Sequence, residues 1–145
     1  MKLTLMLADY AEAVNGKLYI MGGGRTVTGP GPAPFAIAVL IEIPWDETNR
    51  RHFLRVDLVD GDGRPVMVST PTGERPVEID GGFEVGRPAG LKPGTPQTVP
   101  VAMNIGPLPL EPGRDYVWRC SVNGATEDAW RLPFSIKPAT DESHP

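Results

Sequence analysis

Six acids crowd the middle of this sequence: Asp57, Asp60 and Asp62, then Glu78, Asp80 and Glu84. Carboxylate oxygens are the ligands a hard cation such as calcium takes, and C2-like domains hold calcium in such a cluster at one end of a sandwich. The spacing here argues for something plainer. Asp60-Gly61-Asp62-Gly63 lacks a complete calcium loop with its bidentate Glu, and Asp in a tight turn ordinarily satisfies nearby backbone donors. Asp57, Asp60 and Asp62 are therefore the candidate calcium ligands, and a hairpin turn is the preferred reading of the same residues.

Nucleophilic catalysis needs a base within hydrogen-bond reach of the attacking atom, and the chain offers only His52 and His144. His144 sits in a polar tail. His52 begins a strand beside Arg50 and Arg51, where no acid is placed to orient it. The lone Cys120 alternates with Trp118 and Val122, which reads as a small buried hydrophobe rather than a reactive thiol. Gly22-Gly23-Gly24 lacks the further glycine, the Lys and the Ser or Thr of a phosphate loop, so it reads as a crossing or a bulge. No pair of carboxylates is singled out by spacing. The sequence names no catalytic residue and implies no cofactor.

Two aromatic residues carry the alternative, that the chain works by contact. Trp45 follows the most apolar run in a polar loop, where it either anchors a partner or caps the open end of the fold. Phe53 alternates out of phase with Leu54, Val56 and Leu58, so it lies on the opposite face and needs a second cover. That cover is either a partner or the chain's own N-terminal segment.

The elements that position these residues are strands. His52 to Ser69, HFLRVDLVDGDGRPVMVS, reads as a hairpin around Asp60-Gly61-Asp62-Gly63. Phe35 to Ile43, FAIAVLIEI, is apolar on both faces and predicts a central strand. Lys2 to Asp9 and Lys17 to Met21 extend on either side of Asn15-Gly16; Ala8 to Val14 reads either as an arm of a small hairpin or as one helical turn. Thr28 to Pro34 is a Gly/Pro loop, and Thr70 to Arg75 a turn. Val77 to Val85 is extended but broken by Gly81-Gly82. Thr98 to Ile105, Tyr116 to Val122 and Trp130 to Ile136 alternate cleanly, the last two joined across Asn123-Gly124. Eight or nine short strands and no long helix predict an all-β antiparallel sandwich, immunoglobulin-like or C2-like, over residues 1–137, with a disordered tail at 138–145.

Leu7 to Gly24, LADYAEAVNGKLYIMGGG, resembles the opening of an uncharacterised bacterial family, found mainly in actinobacteria. Its members begin with Leu-Ala-Asp, continue through Gly-Lys-Leu and reach a glycine cluster. Arg25 stands where that pattern leads one to expect an aromatic residue. The resemblance implies a small β-rich fold and no assigned activity.

Composition bounds the remaining classes. With 145 residues, one domain can bury a core without metal or disulfide staples. A net charge of −4 leaves no electrostatic footprint for nucleic acid or an anionic membrane surface. No run approaches the roughly 20 apolar residues needed to cross a bilayer. The apolar run after Lys2 is too short for a signal peptide and meets Asp9, and the single cysteine fits a reducing compartment, so a cytoplasmic location is expected. The expected function is a non-catalytic interaction or assembly module that engages a protein partner or forms a homodimer. A calcium- or carbohydrate-binding sandwich is the alternative, and a small hydrolase stands behind it.

Overall fold

The alternating segments are strands in the computed structural model, which describes residues 1–31 and 34–139. The first five are β1 (Lys2–Ala8), β2 (Tyr10–Val14), β3 (Lys17–Met21), β4 (Val27–Thr28) and β5 (Phe35–Ile43). A 3-10 turn at Trp45–Glu47 leads into β6 (His52–Asp60), β7 (Met67–Thr70), β8 (Gly73–Pro76) and β9 (Glu78–Phe83). β10 (Gln97–Ile105), β11 (Asp115–Val122) and β12 (Arg131–Ile136) complete the order. The protein is all-β and sandwich-like: one sheet runs β1-β5-β10, the other β4-β12-β11-β6-β9, and two further hairpins, β2-β3 and β7-β8, stand outside them. Residues 140–145, most of the expected tail and His144 with it, lie outside the described residues.

β5 is central, and its two faces explain what covers it. Phe35, Ile37, Val39, Ile41 and Ile43 point into the space between the sheets and are fully buried there. In register with Val39 stand Leu5 of β1 and Val101 of β10, so one aliphatic layer crosses the whole sheet. The opposing sheet supplies Leu54, Val56 and Leu58 from β6 and Tyr116, Trp118, Cys120 and Val122 from β11. Burying each large side chain contributes roughly 1.5–3 kcal/mol before chain entropy is set against it. Phe35 also meets Trp118 edge-on at 6.3 Å and Phe134 at 5.2 Å.

The other face of β5 carries Ala36 and Ala38, and small side chains there let a second layer come close. The β2-β3 hairpin fills that layer, forming a cluster of Ala8, Ala11, Ala36 and Ala38 with Leu18 and Ala102 at its margin. Asn15 and Gly16, at φ +51° and +73°, turn it, so residues 10–14 are a strand and not a helical turn. Asn104 of β10 clips the hairpin down: its Oδ1 accepts the Ala11 N–H at 3.2 Å and its Nδ2 donates to the Ala11 carbonyl at 2.8 Å. The glycine triplet then crosses back over β1. A Cβ on Gly22 would overlap the Asp9 carboxylate, and Gly22 sits at φ +66°.

Three sequence expectations are corrected. The return arm of the His52–Ser69 hairpin pairs with β6 only at its base, where Val59 bridges Pro65 and the Val66 N–H reaches the Leu58 carbonyl at 3.0 Å. Leu58 then donates to the Val77 carbonyl, so the rest of β6 is paired by β9. The intervening residues leave as β7-β8, which makes Thr70 to Arg75 the tip of a hairpin rather than a simple turn. Gly81-Gly82 does not break β9; both residues stay in register with Leu54 and Phe53.

Arg25 locks the N-terminal crossing. Its guanidinium pairs with Asp9 at 3.1 Å, donates to the carbonyls of Ala8 (3.4 Å) and Pro34 (3.1 Å), and lies 5.2 Å over the Phe35 ring. Asp9 is open to water, so the ion pair itself contributes little, and the carbonyl bonds and the cover over Phe35 carry the effect. Arg25→Ala is expected to lower unfolding stability by roughly 1–3 kcal/mol in denaturant titration. Arg25→Lys should recover only part of it, because a single ammonium cannot reach the same set of acceptors.

Candidate functional site

The groups singled out for catalysis are taken up by the fold. His52 is 3% exposed. Its Nδ1 accepts from Asn123 Nδ2 at 3.0 Å, which leaves Nε2 to donate to the Glu47 carbonyl at 2.8 Å, and the ring stacks on Phe83. Both nitrogens are spent on structure. Cys120 is buried, and burial first, with the Asp57 charge adding to it, pushes its thiol up to about 12. A thiol held in that range is not a thiolate at neutral pH, so Cys120 and His52 do not act as a nucleophile and its base.

The candidate calcium ligands go separate ways. Asp57 points out of the sheet and takes Arg119 in a two-pronged pair, Nε to Oδ1 and Nη2 to Oδ2, each 3.0 Å. Asp60 turns its Oδ1 onto the backbone N–H groups of Asp62 (2.9 Å) and Arg64 (3.0 Å), the local role expected of Asp in a turn. Among the described residues, no three His, Cys, Asp or Glu side chains gather in a way that could hold a metal ion.

Trp45 is half-buried. The Arg87 guanidinium lies 4.2 Å over its ring while Nη2 donates to the Trp45 carbonyl and Nε to Thr48 Oγ1, each at 2.6 Å. One face of the indole is therefore already covered. Phe53 differs. The N-terminal hairpin packs on the opposite sheet, so it does not serve as a cover, and Phe53 stays 58% exposed. Its cross-strand neighbour is Gly82, whose bare backbone lets the Arg51 side chain lie across it and reach within 5.8 Å of the Phe53 ring.

Around Phe53 the outer face of the five-stranded sheet forms an open depression of about 840 Å³, floored by Arg55, Asp57, Arg119 and Ser121. Core residues alternate with these along each strand, so every outward side chain is set by the inward ones. Register then aligns charges across the sheet. Arg131 stands opposite Arg119, Arg119 opposite Asp57, and Asp57 opposite Glu78, a row of two cations followed by two anions on β12, β11, β6 and β9. Arg55 pairs with Glu78 and stands opposite Asp80. The hydrogen bonds that Arg119 and Arg55 donate to Asp57 and Glu78 raise the two guanidinium groups, respectively, further into their charged forms.

Sequence reading found Phe53 and missed this row. Its members sit at outward positions of strands that the alternation already identified, but their alignment depends on pairing between strands far apart in sequence. It also missed a second apolar surface, where Tyr10, Tyr19 and Met21 stand exposed on the outer face of β2-β3.

Asn123 ties the depression to the core. At φ +52° it opens a two-residue turn with Gly124, its Oδ1 accepts the Phe53 N–H at 2.9 Å, and its own N–H donates to the Phe53 carbonyl at 2.9 Å. Asn123→Gly removes the side-chain bonds to Phe53 and His52 while keeping the backbone form; Asn123→Ala removes the same bonds and adds left-handed strain. Thermal unfolding is expected to rank them wild type, Gly, Ala, with the last step about 1 kcal/mol.

No curated protein matches the chain. One family model, described as a family of unknown function and named DUF6941, matches residues 3–137, from within β1 to just past β12. A match over that much of the sequence settles membership: the chain belongs to the DUF6941 family of unknown function.

Proposed function

We propose that the protein is a non-catalytic interaction module that assembles with itself, with residues 1–137 acting as a single unit in the bacterial cytoplasm. One observation carries this reading: Phe53 stands exposed over a polar depression on the broad face of a sheet. A large aromatic side chain in that setting is the kind of group that anchors a protein contact. The groups that would serve a hydrolase support it from the other side, since His52 and Cys120 are committed to the core.

Pairing through two of the sheet edges, those at β10 and β4, has less in its favour than pairing through the face. β10, one edge of the three-stranded sheet, carries Pro100, and the end of the larger sheet is closed by the two-residue β4 and by Pro133 in β12. Prolines in such strands remove the backbone donors that an added strand would use.

Light scattering over a tenfold range of concentration is expected to show a mass rising from 15.6 kDa towards twice that value. Phe53→Ser should hold the chain at the lower mass without lowering its melting temperature, because the ring contributes little to its own chain's core. A monomeric mass for the wild type at the highest concentration would contradict the reading.

A further inference from the structure

We infer that two copies of the chain pair through the outer faces of their five-stranded sheets, about a two-fold axis that runs along the strands between β11 and β6. This rests on the self-assembly proposed above and adds to it the surface and the register. The row Arg131, Arg119, Asp57, Glu78 decides the axis. A two-fold lying in the interface and parallel to the strands preserves position along a strand and reverses position across the sheet. Arg131 then faces the partner's Glu78, and Arg119 faces the partner's Asp57. A two-fold perpendicular to the strands would instead set Arg131 on the partner's Arg131 and Asp57 on the partner's Asp57. Like charges brought face to face in that way oppose association.

The isolated chain leaves the positive end of this row unsatisfied. Arg131 stands directly across from Arg119 on the neighbouring strand, an arrangement of like charges that costs stability. Arg119 is occupied by Asp57, and among the described residues Arg131 has no carboxylate within salt-bridge distance. The partner's Glu78 supplies one. Among the described residues Glu78 is held only by the exposed pair with Arg55, and it can be shared between two guanidinium groups because a carboxylate has two oxygens. The same axis places the apolar contact. Phe53 lies on β6, beside the axis and about 13 Å along the strand from Asp57, so the partner's Phe53 comes alongside it. Charge sets the register, and the paired rings with their Arg51 neighbours supply the apolar burial.

Charge reversal in trans tests the pairing. In Arg131→Glu two acids repel at both copies of the contact, and in Glu78→Arg two guanidinium groups do. Each variant alone is expected to self-associate at least about tenfold more weakly than the wild type by sedimentation equilibrium. Mixed one to one, the acid introduced in the first variant meets the guanidinium introduced in the second, and the unaltered Arg131 of the second meets the unaltered Glu78 of the first. Association should then return to within about threefold of wild type. Both positions are exposed, and matching melting temperatures will show that the variants fold. If wild type itself stays monomeric, self-assembly falls and this pairing with it. If wild type associates and the single reversals associate equally well, self-assembly stands and this face is wrong. If the reversals weaken association and the mixture does not restore it, the two-fold register is overturned.

Discussion

The register of β6 against β11 is the constraint on which the rest of the outer surface depends. A slip of β6 by one residue would carry Asp57 into the core and bring Val56 out, because strand side chains alternate with a period of two. The buried faces oppose such a slip, and one residue pins it locally. Asn123 bonds the Phe53 backbone with both its side-chain oxygen and its own N–H, and its amide nitrogen holds the buried His52 ring. The same contact therefore positions an exposed aromatic residue, fixes the charge row and consumes the histidine that would have been a base.

The opposite sheet is built for cover instead of display. Aliphatic residues on the inner face of β5 and alanines on its outer face let a central strand be buried twice, once by the second sheet and once by a hairpin of the same chain. Asn104 then holds the hairpin through the Ala11 backbone, and Arg25 fixes the crossing beside it through the carbonyls of Ala8 and Pro34. One broad face is closed by the chain itself, and the other is left open with Phe53 and a graded row of charges.

Strand existence and facing were legible from alternation: Phe35 to Ile43 and Tyr116 to Val122 bury the residues that their periodicity assigns inward. Which strand joins which sheet was not, because strand order depends on contacts between residues such as Leu5, Val39 and Val101 that are distant in sequence. Gly81-Gly82 misled because a glycine pair reads as punctuation, yet here its lack of side chains admits Arg51 within an unbroken strand. Thr70 to Arg75 misled because a short polar hairpin carries almost no apolar signal. Of the candidate site, Phe53 was visible as a residue out of phase with its neighbours. The charge row was invisible, since each member is an ordinary outward residue until register lines it up with the next.

A face that runs from two cations to two anions across four strands is complementary to its own image, and the proposed pairing with a second copy rests on that property. Crosslinking at a position beside the axis reads this most directly. Ser121 lies on β11 at the floor of the depression, and its replacement by Cys leaves Phe53 and the charge row intact. The native Cys120 is buried and its thiol is pushed up to about 12, so it does not compete for the reagent. With a thiol-to-thiol reagent spanning about 10 Å, the usual separation of packed sheets, Ser121→Cys is expected to give a covalent dimer quickly. Tyr19→Cys, on the hairpin that covers the three-stranded sheet, should remain monomeric under the same conditions. Equal or slower crosslinking of Ser121→Cys relative to Tyr19→Cys would contradict the account.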